Sequence, residues 1–207
     1  MINSKPLISV LDYQAGNIKS VENALEYSGA RVVVTSDPHV IHKSDAIVFP
    51  GQGSCVSSMD NIKSKGLDVV IKESIYSGKP FLGICLGLQL LLEKSEEGNT
   101  DCLDIVRGEV KRFDQGLKIP HMGWNSVSFT IDHPVFFGIP NRSYFYFVHS
   151  YYADPYDASI ISSATDYGIN FCSSIAYDNV IAVQFHPEKS GDIGLKLYKN
   201  FVEFIGS

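Results

Sequence analysis

Apolar positions in the first half of the chain follow two alternating periods. Short, nearly unbroken apolar runs at 7–11, 31–35, 46–49 and 80–84 have the length and branched-residue content of strands. Between them, residues 16–29 repeat apolar side chains at helical spacing, with Ile18, Val21 and Leu25 on one stripe. Residues 56–77 repeat the pattern with a break near Gly66, and a further helix is predicted over 86–94. Strands apolar on both faces, separated by helix-length segments, predict parallel pairing with helices on both sides of the sheet.

The second half changes character. Strand-like runs near 109–113, 126–131, 144–152, 159–164, 170–177 and 180–185 are separated by turn residues, and Asp178-Asn179 reads as a hairpin turn. Tyr144, Phe145, Phe147 and Tyr152 read as core strand residues. The last element is an amphipathic helix over 191–205, with Ile193, Leu197, Phe201 and Phe204 facing inward. No repeat, low-complexity stretch or linker interrupts the pattern. Residues 1–207 therefore read as a single domain. The expected fold is α/β: a three-layer, open, largely parallel sheet with flanking helices plus antiparallel strands.

Composition narrows the function. Hydrophobic residues are 44% and charged residues 19%, as in folded globular chains. The net charge of -6, without a basic patch, makes nucleic acid and anionic membrane poor partners. No apolar run nears the ~20 residues of a membrane span, and residues 1–6 lead into the first strand without a signal-peptide core. Cys55, Cys85, Cys102 and Cys172 lie far apart and form no CxxC pair, which excludes a zinc ribbon and points to a reducing, cytoplasmic setting. No metal-ligand pattern is present, and no cofactor is expected. His39, His42 and His133 read as surface residues, whereas His121 and His149 lie in tighter motifs.

The sharpest local signal is Gly83-Ile84-Cys85-Leu86-Gly87, where a strand turns into a helix. It has the form of a nucleophile elbow with cysteine in place of serine. The glycines allow the tight turn, and the helix N-terminus favours a thiolate. Taken alone, the pentapeptide fits a buried structural cysteine equally well. His186-Pro187-Glu188 shifts that balance. It follows a strand, and residues two apart in extended chain point to the same side, so Glu188 can hold one nitrogen of His186 and leave the other for a cysteine. That supplies nucleophile, base and orienting carboxylate. Pro50-Gly51-Gln52-Gly53 could rotate a peptide and aim an N–H at an oxyanion, although an ordinary strand-end turn is the simpler reading. The N–H of Leu86 is a natural second donor.

These motifs resemble the class I (triad) glutamine amidotransferases, and within them the glutaminase subunits that serve a cyclase in histidine biosynthesis. The resemblance spans essentially the whole chain. It includes Asp12-Tyr13 with Gly16-Asn17, Pro50-Gly51-Gln52-Gly53, residues 83–91, Pro120-His121-Met122-Gly123-Trp124-Asn125, Tyr146-Phe147-Val148-His149-Ser150-Tyr151, and residues 184–190. It implies Cys85 as nucleophile, His186 as proton carrier and Glu188 as its orienting group. It further implies an oxyanion hole from Gly51, Gln52 and Leu86, with glutamine held by Gly53, Gln89, Ser150 and Tyr151. Asn17, Met122, Trp124, Tyr146 and Lys189 match segments that face a separate cyclase subunit, a (β/α)8 barrel, in a heterodimer. Ammonia would pass to that barrel, which converts the ribulosyl nucleotide PRFAR to imidazole glycerol phosphate and an aminoimidazole carboxamide ribotide. Gly123 and Asn125 suggest that Trp124 sits in a turn at this interface. The resemblance also implies idling without cyclase ligand, with the Gly51-Gln52 peptide as the bistable element.

A paralogue feeding another synthase, for example one forming amidino sugars, would carry the same triad. A stand-alone cysteine hydrolase would lack the partner-facing motifs, and a non-catalytic subunit would not need the triad. The chain departs from the common pattern at Gln14 for a glycine, Gln52 for a valine, Ser54-Cys55 for Ala-Phe, and Cys102 for a small residue.

Overall fold

The computed structural model describes residues 5–14, 16–114 and 116–206. The lead-in at 1–4 lies outside them. Strand β1 (Leu7–Leu11) runs into helix α1 (Ile18–Tyr27), followed by β2 (Arg31–Thr35), α2 (Pro38–Lys43) and β3 (Ala46–Phe49). Helices α3 (Cys55–Ser64) and α4 (Leu67–Tyr76) precede β4 (Phe81–Ile84) and α5 (Leu86–Gln89). Then come β5 (Lys94–Ser95), β6 (Thr100–Asp101), β7 (Gly108–Arg112), β8 (His121–Phe129), β9 (Ser143–His149), β10 (Tyr151–Pro155), β11 (Ile161–Asp166), β12 (Asn170–Tyr177), β13 (Val180–Val183) and α6 (Gly191–Ile205).

One mixed sheet runs in the order β2-β1-β3-β4-β13-β12-β10-β7-β5-β6, with β11, β8 and β9 attached through β12. From β2 to β13 every neighbour is parallel. The register turns antiparallel at β12, joined to β13 through the predicted Asp178-Asn179 hairpin. Period-2 alternation sends successive side chains of the parallel strands to opposite faces. Ile47, Phe49 and Phe81 pack with Met59, Ile62 and Val70 of α3 and α4. Ala46, Val48 and Leu82 pack with Val21 and Leu25 of α1 and Leu197 and Phe201 of α6. These two cores are what make the protein three-layered.

Several elements differ from the sequence reading. Helix 86–94 stops at Gln89, because the carbonyls of Leu90, Leu91 and Leu92 accept from the amides of residues 103–106 instead of continuing the ladder. The chain then makes an excursion through β5 and β6 that apolar periodicity does not reveal. The run at 144–152 is two strands, β9 and β10, broken at Ser150. Helix α2 is an addition, opened by Pro38 at its first turn and by the Asp37 carboxylate accepting from the His39 amide. Strand β8 begins at His121, so Trp124 lies within a strand rather than a turn. Tyr144 is 61% exposed, not core, because it lies on the solvent face of β9, whereas Phe145 and Phe147 on the other face are fully buried. Among the described residues no helix is long and apolar enough to cross a membrane.

Candidate active site

Strand β4 ends at the sheet's centre and delivers Cys85 in a conformation that L-residues rarely adopt, φ 54° and ψ -107°. Its amide donates to the Val183 carbonyl at 2.7 Å, which locks the elbow to β13. Gly87 is required by close approach: a Cβ there would overlap the Phe49 carbonyl oxygen. Because α5 has only four residues, the field at Cys85 comes from a single turn of amides rather than from a long helix. Leu86 opens that turn, where amides lack internal partners.

His186 and Glu188 follow β13, parallel neighbour of β4. His186 Nδ1 and Glu188 Oε1 are 2.8 Å apart, and both side chains are 1% exposed. The opposite nitrogen, Nε2, is buried and without a hydrogen-bond partner. Burial of the ring disfavours its charged form. The Cys85 sulfur and the Glu188 carboxylate outweigh that effect and push the imidazole up to about 10. An imidazolium held by Glu188 beside the Cys85 sulfur suits proton transfer to a group bound at that sulfur. Glu188 is itself held: Asn17 Nδ2 donates to Oε1 at 2.8 Å, and the buried Tyr198 hydroxyl donates to Oε2 at 3.5 Å.

A cavity of about 400 Å³ opens over Cys85, within the size range of small-ligand sites. Gln52, Gly53, Leu86, Gln89, Ser150 and Tyr151 all line it, as the sequence suggests, together with Glu97 and Lys189. Gly51 lies behind, with Gln52, beside Asn17, His186 and Glu188. Its side-chain absence has a steric cause: a Cβ would sit 2.6 Å from Leu86 Cβ and 2.8 Å from the Tyr13 hydroxyl. Gly53 carries the positive φ in this loop, at 115°. A larger cavity of about 980 Å³ lies elsewhere, lined by apolar residues such as Phe129 and Phe136, and holds no nucleophile.

Of the residues assigned to a partner face, Met122, Trp124, Tyr146 and Lys189 form one patch. Met122 and Trp124 are 61% and 56% exposed. Trp124 pairs across the strands with Tyr146, ring to ring at 6.2 Å, and Lys189 Nζ lies 6.0 Å above the Tyr146 ring. Lys189 belongs to both patch and cavity rim. Asn17 does not join the patch through these contacts; its amide is turned to Glu188.

The class-I glutamine amidotransferase family model matches residues 9–204. The chain belongs to the class-I glutamine amidotransferase family. It is 50% identical over 196 residues to imidazole glycerol phosphate synthase subunit HisH of Dehalococcoides mccartyi, covering 94% of this chain and 96% of the relative. It is equally 50% identical over 203 residues to subunit HisH 1 of Methanococcus maripaludis, covering 96% and 100%. The solved structure of PurLQS from Thermotoga maritima superposes with a TM-score of 0.75 at 17% identity, over 97% of this chain and 99% of that one, a likeness of fold.

Sequence reasoning missed a second network in this amidotransferase. His149 Nδ1 donates to the Tyr151 carbonyl at 2.8 Å, so neutral His149 presents Nε2 as an acceptor. His121 Nδ1 donates to it at 2.9 Å, and Asn125 Nδ2 donates to His121 Nε2 at 3.3 Å. Burial lowers both imidazoles, His121 to about 4 and His149 to about 3, which keeps them neutral and the donor order intact. The Tyr151 carbonyl also accepts from Gln89 Nε2 at 2.8 Å. Gln89 bonds Gln184 at 3.0 Å, and Gln184 Nε2 reaches the Cys85 sulfur at 3.5 Å. A hydrogen-bonded chain thus runs from β8 to Cys85. Gln184 sits one pleat before His186, a spacing that could have flagged it. Tyr13, whose hydroxyl donates to the Pro50 carbonyl at 2.6 Å, carries no such signal.

Proposed function

We propose that this chain is the glutaminase subunit of an imidazole glycerol phosphate synthase, acting as one glutamine amidotransferase domain over its whole length. It hydrolyses glutamine and passes the ammonia to a separate cyclase subunit, a (β/α)8 barrel, in a cytoplasmic heterodimer of histidine biosynthesis. The observation that carries this reading is Cys85 lining a cavity, with the buried His186–Glu188 pair beside its sulfur and Lys189 joining the cavity rim to an exposed aromatic patch.

The Cys85 thiolate attacks the side-chain carbonyl carbon of glutamine, held by Gly53, Gln89, Ser150 and Tyr151. The oxyanion is stabilised by the amides of Gln52 and Leu86, with Gly51 allowing the loop to approach closely. His186, oriented by Glu188, gives its proton to the departing nitrogen, and ammonia leaves behind a glutamyl thioester. His186 then takes a proton from water. The resulting hydroxide attacks the thioester carbon, glutamate departs, and the thiolate returns. Ammonia set free in neutral water is mostly protonated and no longer nucleophilic, so docking of the barrel on Met122, Trp124, Tyr146 and Lys189 keeps it reactive. The cyclase then converts PRFAR to imidazole glycerol phosphate and the aminoimidazole carboxamide ribotide. Names of relatives at half identity favour this partner over an amidino-sugar synthase.

The test mixes purified chain with a histidine-pathway cyclase and its nucleotide substrate. Glutamine hydrolysis is expected to be slow alone and strongly stimulated in the complex. In Cys85→Ala, glutamine-dependent synthesis is expected to vanish while ammonia-dependent synthesis survives. A cyclase that neither binds nor stimulates overturns the partner, and full glutaminase activity in Cys85→Ala overturns the nucleophile.

A further inference from the structure

Two cysteines outside the triad lie against each other. Cys55 is the first residue of α3, just after the Gly51–Gly53 segment, and Cys102 follows β6. Their sulfurs are 3.6 Å apart, with Cys55 fully buried and Cys102 8% exposed.

The surroundings favour chemistry at this pair. The two thiols share a hydrogen bond in which either sulfur can donate, and that contact holds Cys55 below its ordinary value despite burial, with Ser95 and Thr100 adding hydrogen bonds. Cys102 is pushed up in turn. Cys172 makes the contrast, since it is buried beside the Ser174 carbonyl and pushed up to about 12. The pair also joins two walls of the catalytic cavity. The Cys55 amide donates to Glu97 Oε2 at 3.0 Å, and Glu97 lines the cavity over Cys85.

We propose that Cys55 and Cys102 are a redox-modification site, a dithiol that a hydroperoxide converts into a disulfide tying the start of α3 to the 94–102 segment. In the first step the Cys55 thiolate attacks the distal peroxide oxygen. The O–O bond breaks, Cys55 becomes a sulfenic acid, and the alcohol or water leaves with a proton. In the second step the Cys102 sulfur gives up its proton and attacks the Cys55 sulfur. The S–S bond forms and the sulfenic oxygen departs as water, so two electrons pass from the thiols to the peroxide. Bonding needs the sulfurs to close from 3.6 Å to about 2 Å. That displacement falls on the Glu97 wall and the loop before Cys55. A small-molecule dithiol reverses it.

The experiment treats the full chain with hydrogen peroxide and maps its peptides. A Cys55–Cys102 cross-link, two hydrogens lighter and released by dithiothreitol, is expected, with Tm raised by several degrees because a long loop is closed in the unfolded chain. Cys102→Ser is expected to lose both the cross-link and the Tm rise. Recovery of Cys55 and Cys102 as free thiols at peroxide doses that oxidise the cavity-lining Cys85 overturns the site. The second readout is KM for glutamine, expected to change about threefold or more in cross-linked chain whose Cys85 is verified as a free thiol, and to recover on reduction. An unchanged KM overturns the coupling to the cavity. This readout rests on the glutaminase reading. The cross-link and Tm do not, so the two failures are distinguishable.

Discussion

At the scale of single residues, the site is a set of groups each forced into an unusual state by a neighbour. His186 is the centre. Burial opposes its charge, and the Cys85 sulfur, ahead of Glu188, restores it, to about 10. In Cys85→Ala the first of those supports is gone, so the His186 titration followed by NMR is expected to move well below that value. An unmoved titration would mean that Glu188 alone holds the proton. The grouping of Cys85 with His186 and Glu188 was legible in the sequence because a glycine-flanked strand-end cysteine and a two-residue HxE step are local patterns. Gln184, Tyr13, Asn17 and Tyr198, which complete the support of Cys85, the Pro50 carbonyl and Glu188, were not legible as such. Their roles arise from side chains that meet across the sheet, with 99 to 171 positions between the Gln184–Cys85 and Asn17–Glu188 partners.

At the scale of elements, the parallel strands were legible because buried strands must be apolar on both faces, and α6 because its stripe persists for four turns. The end of α5 was not, since Leu90, Leu91 and Leu92 are apolar all round and fit helix or extended chain alike. What decides is the 103–106 segment that takes their carbonyls. The break at Ser150 was hidden for a related reason: both halves of 144–152 read as strand, and the bend separates β9, which pairs with β8, from β10, which pairs with β7. Close packing of β3 against α5 sets the cost of changing the elbow. Gly87→Ala must displace the Phe49 carbonyl, and a loss of about 2–4 kcal/mol in chemical denaturation is expected, in the range of backbone-displacing core substitutions. Trp124→Ala should behave oppositely. On the exposed face of β8 it is expected to change stability by under about 0.5 kcal/mol. It is expected to weaken cyclase binding by about 2 kcal/mol, close to thirtyfold in Kd by titration calorimetry. Unchanged affinity would remove the patch from the interface.

At the scale of the whole molecule, the buried imidazoles set the pH range of stability. His121 and His149 are held at about 4 and about 3, below the ordinary 6.5. Each binds a proton on unfolding at mildly acidic pH, so stability is complete above 6.5 and falls as pH drops from there through those values. His186 works the other way. Raised to about 10, it contributes fully below 6.5 and loses its contribution as pH rises toward 10. Urea unfolding is therefore expected to show a maximum near neutrality, and His149→Gln is expected to flatten the acid limb between pH 7 and 5. An acid limb of the same slope in that variant would assign it to carboxylates instead.

The pairing of β8 with β9 carries a constraint on how this chain can change length. Trp124 opposite Tyr146 and Met122 opposite Val148 face outward, while His121 opposite His149 face the core. The Val148 carbonyl lies 4.0 Å from the Cys85 sulfur, and the Tyr146 carbonyl accepts from the His186 amide at 2.9 Å. One residue gained or lost inside either strand would exchange the two faces, burying the tryptophan and exposing the histidines, and would carry the backbone away from the nucleophile. The connection at 130–142 lies outside that register, so a length change there leaves the two faces as they are, as long as Val135 and Phe136 keep their buried places against α6. Length variation among functional descendants of this sequence should therefore collect in that connection, and within the hairpin itself it should come in twos.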